Sequence, residues 1–319
     1  MHGKTGLLRT LFLPVIWLIS FSVQLLPVAV ARLILQGMRR VFAPSFIGFF
    51  FEDTFCAILK PRGLLIESTE LLVERRMPIR VALEMGDYIQ RQFYLGGYPA
   101  FTPALLDFCD ATTLFFDIGA NVGLISLAVA AKVPSKQIHA FEPIDTTFGR
   151  MKDNFARNGR SIHAWNIALS NSTGAIEFGA ITRDSGSASA AVDYLTNRTD
   201  QPVERIKCTA KTFDQWWSEL PEAGKAHALR VAMKIDVEGF EREVLAGMKG
   251  FLASVAGDIF VVCETHWDNR EEIVGVLREA GFQLLEPAAD ILGDRDRFGS
   301  AQDLHFHRGT RIDPATHLA

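Results

Sequence analysis

The sequence has few cysteines and no excess of positive charge. The four cysteines are far apart, without CxxC spacing or a histidine at ligand spacing: Cys56, Cys109, Cys208 and Cys263. This excludes a disulfide scaffold and a zinc-finger-type site, and we expect the thiols to be reduced and mostly buried. The 33 basic and 37 acidic residues give a net charge of −4. Because no global basic field is present to neutralise phosphates, nucleic acid is not an expected partner.

The composition is that of a folded globular protein. The chain has 319 residues, of which 48% are hydrophobic and 22% are charged, close to the globular average. Disorder and a coiled coil are therefore excluded for the chain as a whole. The length suffices for one large domain or two small ones.

The N-terminal region contains a long uncharged run. The 21 residues from Leu11 to Ala31 carry no charge, and a helix of that length roughly matches a hydrocarbon layer of about 30 Å. Pro14, Pro27 and Gln24 weaken such a helix without forbidding it. Three interpretations stay open: a membrane anchor or interfacial helix, a helix packed on the domain or a partner, and a cleaved signal segment.

The remaining pattern predicts an α/β domain with a β insertion. We divide the chain into an apolar N-terminal segment (1–60), lead-in strands and a helix (61–110), a core domain (111–308) and a tail (309–319). In the core domain, apolar strands alternate with helical patterns, which predicts a parallel sheet with helices on both faces. Residues 174–211 interrupt this alternation and are interpreted as a β insertion with a flexible loop at DSGSASAA.

The strongest local motif is LFFDIGANVGLISLAVA. An apolar strand ends at Asp117, a loop with Gly119 and Gly123 follows, and a helix begins. Glycines at such a turn allow the backbone to approach a ligand, and the helix N-terminus offers free amides. The next strand ends in HAFEP, where Glu142 is placed to accept hydrogen bonds from two ribose hydroxyls. Together these features predict an adenosine-containing ligand.

NAD and S-adenosylmethionine both contain adenosine, and the loop favours the second. A dinucleotide site would read GxGxxG, whereas Gly119 and Gly123 here enclose Ala-Asn-Val. The Asp117 carboxylate would repel a pyrophosphate but suits the ammonium group of a methionine moiety. The alternative for Asp117 is a plain strand end, and for Glu142 a helix cap.

Five sequence blocks follow one another in a known order: FDIGANVG, HAFEPIDTTFGRMKDNFARNG, NIALSNSTGAIEF, KIDVEGFEREVLAGM and FVVCETH. In this the chain resembles the FkbM-type S-adenosylmethionine-dependent methyltransferases over residues 87–285. The resemblance implies a Rossmann-like, seven-stranded, mostly parallel sheet whose last strand is antiparallel, with DLHFHR at 303–308 as the candidate. It also implies S-adenosyl-L-methionine as cofactor and methylation of a hydroxyl on a sugar or polyketide-type product.

The same resemblance assigns residues to the cofactor. The methionine and ribose end of the cofactor would contact Asp117, Gly119, Asn121 and Gly123. The ribose would contact Glu142, and the adenine would lie near Asn166 and Ala168.

On the acceptor side, Asp236 is expected beside the sulfonium, at the carboxyl end of the KIDVEG strand, where it shares a strand face with Lys234. Glu238, Glu264 and His266 are further candidates. His266 has the ordinary pKa of a base at neutral pH, while the three carboxylates could instead hold a divalent metal, and both mechanisms stay open. The alternative roles are helix caps or ion pairs, for instance Lys234 with Glu264.

The predicted acceptor is a small molecule, glycan or glycolipid, and the apolar run from Leu11 to Ala31 favours a lipid-linked one. S-adenosylmethionine is made in the cytoplasm, so we expect a cytoplasmic protein, with membrane association through that run as an open alternative. A second function stays open, a catalytically inactive, membrane-attached binding or scaffolding protein with this fold. The retention of Asp117, Glu142 and Asp236 disfavours it. The patterns define no oligomeric state.

Overall fold

A computed structural model describes residues 65–73, 77–84, 87, 90, 102–181, 184–189, 203–221, 230–265, 269–285 and 302–309. The run from Leu11 to Ala31 and His266 lie outside these residues. Among the helices within them, none is long and apolar enough to cross a membrane. The chain divides into two compact units, residues 1–69 with 82–97 and residues 70–81 with 98–319.

Strands and helices alternate along most of the described chain. The strands are β1 (Leu65–Val73), β2 (Met77–Glu84), β3 (Thr113–Ile118), β4 (Ile138–Phe141), β5 (His163–Trp165), β6 (Ala168–Leu169), β7 (Gly174–Ile181), β8 (Asp184–Ser189), β9 (Val203–Lys211), β10 (Arg230–Ile235), β11 (Asp258–Thr265), β12 (Gln283–Leu285) and β13 (Gln302–Arg308). The helices are α1 (Thr102–Phe108), α2 (Leu124–Val129), α3 (Asp145–Arg157), α4 (Phe213–Glu219), α5 (Glu241–Ala246), α6 (Lys249–Ser254) and α7 (Arg270–Glu279).

The lead-in strands form a sheet of their own. The short apolar runs between residues 61 and 110 predicted strands, and β1 and β2 make up a two-stranded sheet. Within the first compact unit, the side chain of Leu83 is fully buried. The Oδ1 atom of Asp87 accepts a hydrogen bond of 3.0 Å from the Gln90 amide.

The second unit is built on a seven-stranded sheet with the order β12-β13-β11-β10-β3-β4-β5. β10 is parallel to both β3 and β11, and β4 is parallel to both β3 and β5. β13 is antiparallel to β11 and to β12, so it alone among these seven strands runs in the opposite direction. This confirms the predicted seven-stranded, mostly parallel, Rossmann-like sheet, and the strand expected at 303–308 is β13.

Both faces of this sheet are covered. Phe115 and Phe116 are each 0% exposed, and consecutive strand residues point to opposite faces. On one face, the Phe116 ring packs edge-on against Phe213 of α4 at 5.0 Å and Phe251 of α6 at 5.5 Å. The near-continuous apolar strands of the sequence therefore reflect burial on both sides.

The insertion forms a second sheet with the order β6-β9-β7-β8. The predicted β insertion is confirmed, but the flexible loop predicted at DSGSASAA is wrong for 184–189, which form β8. β8 pairs with β7 in antiparallel orientation, with Asp184 opposite Ile181 and Ser189 opposite Gly179. The small polar residues of this segment predicted a loop, but its backbone pairs with β7 and therefore forms a strand.

The cysteines within the described chain are thiols in the interior. Cys109, Cys208 and Cys263 are free and buried, as expected. Burial raises the pKa of Cys109 to about 12 and that of Cys208 to about 11. These thiols are packing residues rather than nucleophiles.

Candidate functional site

The loop after β3 depends on glycine at its first turn. Gly119 has a φ of 77°, and a Cβ atom there would lie 1.9 Å from the carbonyl oxygen of Asp236. The amides of Gly119 and Ala120 donate to the Phe141 carbonyl at 3.1 and 2.9 Å. The loop is therefore held between the ends of β4 and β10, at a distance that only glycine permits.

The second half of the loop packs on α3. Gly123, with a φ of 83°, precedes α2, and a Cβ atom there would lie 2.5 Å from the Phe155 ring and 2.9 Å from Met151. Asn121 has a φ of 51°, a left-handed conformation that asparagine tolerates better than most residues. The Asn154 side-chain amide donates to the Val122 carbonyl at 3.0 Å. The loop conformation is thus set by packing on both sides.

Glu142 links this loop to the start of α3. One carboxylate oxygen accepts the Asn121 amide at 3.0 Å, and the other accepts the Ile144 amide at 2.9 Å. Burial raises the pKa of Glu142 to about 7, against the opposing effect of these hydrogen bonds. A carboxylate has about four acceptor positions, so positions for two ribose hydroxyls remain. The Ile144 amide belongs to the residue before α3 rather than to the helix itself, so the helix-cap role and the ribose role both stay predictions.

Asn166 and Ala168 lie next to the Glu142 segment. The Asn166 side-chain amide donates to the carbonyl oxygens of Glu142 and Pro143, both at 3.1 Å, and its Oδ1 atom is the acceptor that an adenine amino group would need. Ala168 is buried in a cluster with Ile144 and other apolar residues of the insertion. The adenine contacts stay predictions.

Asp117 lies beneath the loop rather than in it. Its side chain is completely buried, and Oδ2 accepts both the amide and the hydroxyl of Ser126, at 3.0 and 2.6 Å. Desolvation raises the pKa of Asp117, and Lys234 and Ser126 oppose this effect. In this geometry Asp117 fixes the start of α2. The contact with the methionine ammonium stays a prediction.

Lys234 joins the two sides of the site. Its Nζ atom donates to the Gly119 carbonyl at 2.6 Å and lies 3.1 Å from Asp236 Oδ2 and 3.8 Å from Asp117 Oδ1. Burial alone lowers the pKa of Lys234, but the carboxylates of Asp236 and Asp117 raise it above its ordinary value. The direct ion pairs of Lys234 are with these two residues, whereas the sequence suggested Glu264. Sequence reasoning missed Lys234 as a site residue, although its shared strand face with Asp236 was a signal.

The acceptor-side carboxylates meet at the carboxyl ends of β10 and β11. Oxygen atoms of Asp236, Glu238 and Glu264 lie within 4.8 Å of one another, so the structure brings three of the four predicted residues together. Desolvation, followed by the charges of Asp236 and Glu238, raises the pKa of Glu264 well above its ordinary value. Such a group can orient a hydroxyl, accept its proton or bind a divalent cation. The fourth residue, His266, lies outside the described chain.

Sequence reasoning missed two further carboxylates. Glu241 is fully buried, and its Oε1 atom accepts the amides of Val237 and Gly239 at 3.2 and 3.0 Å. It thereby fixes the turn in which Glu238 has a φ of 54°. Asp303 of β13 lies in register opposite Glu264, and burial raises its pKa to about 7. The position of Glu241 on the first turn of α5 could have indicated its role from the sequence. Asp303 lies at the site only because β13 pairs with β11.

The sheet order, the glycine loop after β3 and the acidic residue after β4 define a Rossmann-like enzyme that binds an adenosine cofactor at the carboxyl ends of its strands. The family described as the methyltransferase FkbM domain matches residues 117–284. The chain belongs to this family of S-adenosylmethionine-dependent methyltransferases.

Curated relatives include two named methyltransferases. Hexuronic acid methyltransferase AglP from Haloferax volcanii is 33% identical over 177 residues, which cover 55% of this chain and 66% of AglP. The 31-O-demethyl-FK506 methyltransferase FkbM from Streptomyces tacrolimicus is 28% identical over 194 residues, which cover 53% of this chain and 72% of the relative. The chain thus spans just under two thirds of AglP. A solved methyltransferase FkbM from Methylobacillus flagellatus has a TM-score of 0.37 at 11% identity, over 70% of this chain and 55% of that structure.

Proposed function

We propose that this methyltransferase transfers the methyl group to a hydroxyl oxygen of a sugar, a glycolipid or a similar metabolite. One observation carries the proposal: the glycine loop with Glu142 and the partly exposed Asp236 carboxylate, 32% accessible, share one edge of the sheet. The names of the relatives support it, since AglP is named for a hexuronic acid and the Streptomyces enzyme for an O-demethyl compound. An inactive scaffolding protein has no such support.

The residues on the cofactor side fit S-adenosylmethionine. Gly119 keeps the loop free of a Cβ atom, and Glu142 is a buried carboxylate with acceptor positions for a ribose diol. When bound, the cofactor supplies an electrophilic methyl group on its sulfonium. The role of the protein here is to hold the ribose at Glu142 and to keep the loop backbone fixed, while Asp117 supports the loop from below.

On the acceptor side, the protein must align a hydroxyl with the methyl group. Among the acceptor-side residues, Asp236 has a main chain that packs closely against Gly119 of the loop, so it is the residue assigned to accept or orient the hydroxyl proton. Glu238 and Glu264 surround it. Two mechanisms are compatible with this arrangement. A carboxylate or His266 acts as base, or Asp236, Glu238 and Glu264 would hold a divalent cation, which would lower the pKa of the hydroxyl.

Calorimetric titration with S-adenosylhomocysteine and with NAD tests the cofactor side. We expect S-adenosylhomocysteine to bind and NAD to give no heat, and the reverse result would contradict the proposal. Transfer of a labelled methyl group from S-adenosylmethionine is then measured on neutral sugars, uronic acids, glycolipids and polyketide-type alcohols. Labelling at hydroxyl oxygen is the expected result. Labelling only of amines, thiols or carboxyl groups would contradict methylation at a hydroxyl oxygen, but it would not contradict S-adenosylmethionine as the cofactor.

A further inference from the structure

Lys234 is the one cation in the described chain with ion pairs to two different carboxylates of the site. It lies on β10 in register with Asp117 on β3, and its side chain is only 7% exposed. A buried ammonium is costly unless acceptors surround it. Here the acceptors come from three places: the backbone of the cofactor loop, the support beneath that loop and the acceptor side.

We propose that Lys234 is a positioning residue that couples the cofactor loop to Asp236. Its ammonium holds the Gly119 carbonyl at 2.6 Å and the Asp236 carboxylate at 3.1 Å, so movement of either one displaces a shared hydrogen-bond donor. This inference rests on the proposed function, because it assigns the loop to the cofactor and Asp236 to the acceptor.

The backbone strengthens the coupling. The Asp236 amide donates to the Ile118 carbonyl at 3.1 Å, and the Asp236 carbonyl is the atom that a Cβ at Gly119 would meet. The backbones that follow β3 and β10 are therefore in direct contact, with no side chain between them. At this contact, the positive charge of Lys234 offsets the repulsion between the carboxylates of Asp117 and Asp236, which both lie beside the glycine loop. A lysine that served only to neutralise Asp117 would not need to reach the Gly119 carbonyl.

The test measures the loop directly, without an acceptor substrate. Hydrogen exchange of the ligand-free protein is followed for a peptide covering residues 118–123, and S-adenosylhomocysteine affinity is measured by calorimetry. In Lys234→Met we expect loop exchange to rise at least tenfold more than exchange in β11. We also expect affinity to fall by about 10- to 100-fold, the effect of one lost hydrogen bond to a charged group.

Lys132→Met is the control for the types of contact that Lys234 makes, at a lysine whose side chain is 41% exposed. Lys132 also donates to a main-chain carbonyl, that of Leu106 at 2.5 Å, and lies 3.8 Å from a carboxylate, that of Asp107. Neither contact involves the glycine loop, so loop exchange and affinity should stay within about twofold of the wild-type values. An even rise of exchange throughout the sheet in Lys234→Met, or an unchanged loop, would overturn the coupling and leave Lys234 a structural residue.

Asp236→Ala keeps the test decisive if Lys234→Met does not fold. This variant leaves the pairing of Lys234 with Asp117 intact and removes the other carboxylate, so coupling predicts faster exchange at 118–123, and an unchanged loop contradicts it. The wild-type titration separates the two proposals. A wild-type protein that fails to bind S-adenosylhomocysteine defeats the proposed function, whereas the exchange comparison still decides the role of Lys234.

Discussion

The cofactor side and the acceptor side of this site are built on different principles. On the cofactor side, the carboxylates accept hydrogen bonds from the protein itself, as Glu142 does from Asn121 and Ile144. On the acceptor side, Asp236, Glu238 and Glu264 lie close enough for their oxygens to come within 4.8 Å of one another. On the cofactor side, backbone amides stabilise a carboxylate by hydrogen bonds, and on the acceptor side several carboxyl groups lie close together.

This difference has a functional meaning. Hydrogen bonds from the protein's own amides and hydroxyls keep the geometry of these carboxylates whether or not a ligand is present, which preorganises the loop for binding. Clustered carboxylates are held together against their repulsion by the pairing of β10, β11 and β13, so a proton, a cation or a hydroxyl donor relieves the repulsion when it binds. Binding and chemistry should therefore respond to different substitutions, except at Lys234, which contacts both sides.

The largest expected effect separates the two sides by substitution of Asp236. We expect Asp236→Asn to leave S-adenosylhomocysteine affinity within a few fold and to lower methyl transfer by about 10² to 10⁴, the usual contribution of a positioned base. His266→Ala gives the same pattern if that residue is the base. Equal losses of affinity and transfer in Asp236→Asn would erase the distinction between the two sides.

Chelation distinguishes the two mechanisms of the acceptor side. If a divalent cation is required, treatment with a chelator abolishes transfer, added cation restores it, and Glu264→Gln is as inactive as Asp236→Asn. If a base acts alone, transfer survives chelation. Transfer that survives both chelation and the Asp236 and His266 substitutions would show that alignment alone carries the reaction.

The second effect concerns the close contact between the loop and β10. A Cβ atom at Gly119 would lie 1.9 Å from a backbone oxygen, whereas the same atom at Gly159, where φ is also positive at 62°, meets nothing within 4 Å. We expect Gly119→Ala to lower the free energy of unfolding by about 3 kcal/mol or more and Gly159→Ala by about 1 kcal/mol. Urea denaturation measures both. Equal losses of stability in the two variants would show that Gly119 is required for its positive φ and not for its close approach to the Asp236 backbone.

The features of the fold and the site that the sequence predicted correctly depend on residues that are near neighbours in the chain. The alternating apolar strands predicted the sheet, and the motif from Asp117 to Gly123 predicted the loop, because both depend on residues close together in the chain. Glu142 was found for the same reason, through its place at the end of the next strand.

Among the missed features, Asp303 depends on pairing between distant segments, whereas β8 and Glu241 depend on a hairpin and a turn formed by near neighbours in the chain. Asp303 reaches the site through its register with Glu264, and no local pattern encodes that register. The strand β8 exists because β7 pairs with it, although its composition resembles a loop. Glu241 was missed since its role is to accept the amides of a turn whose conformation the sequence does not display.

The third effect tests whether the Glu142 carboxylate holds the ribose. Its pKa is raised to about 7 by burial, and the ionised form is the one that accepts two hydroxyl hydrogen bonds. Ligand binding therefore lowers this pKa, and affinity for S-adenosylhomocysteine should fall by up to about tenfold per pH unit as the pH drops below about 7. Glu142→Gln should bind about 10- to 100-fold more weakly at pH 8 and lose this pH dependence. A wild-type affinity that is constant from pH 5.5 to 8 would contradict the ribose role.

The smallest effect is opposite in sign on the two sides. The folded-state pKa of Glu264 lies above its ordinary value because burial and the charges of Asp236 and Glu238 disfavour the anion. The folded protein thus retains a proton that the unfolded chain releases, and this group costs stability as the pH rises above about 4.5. Glu264→Gln removes the cost and should raise the free energy of unfolding at pH 8 by about 1 kcal/mol. Burial raises the pKa of Glu142 as well, to about 7, but Glu142→Gln exchanges one amide acceptor for a donor that faces a backbone N–H. The lost hydrogen bond outweighs the relieved cost, so this variant should lower that free energy by about 1 to 3 kcal/mol. Urea denaturation at pH 5 and pH 8 measures both variants, and the gain of Glu264→Gln should shrink at pH 5. A loss of stability in Glu264→Gln at pH 8 would mean that its carboxylate is held by favourable contacts, and the acceptor side would then be built like the cofactor side.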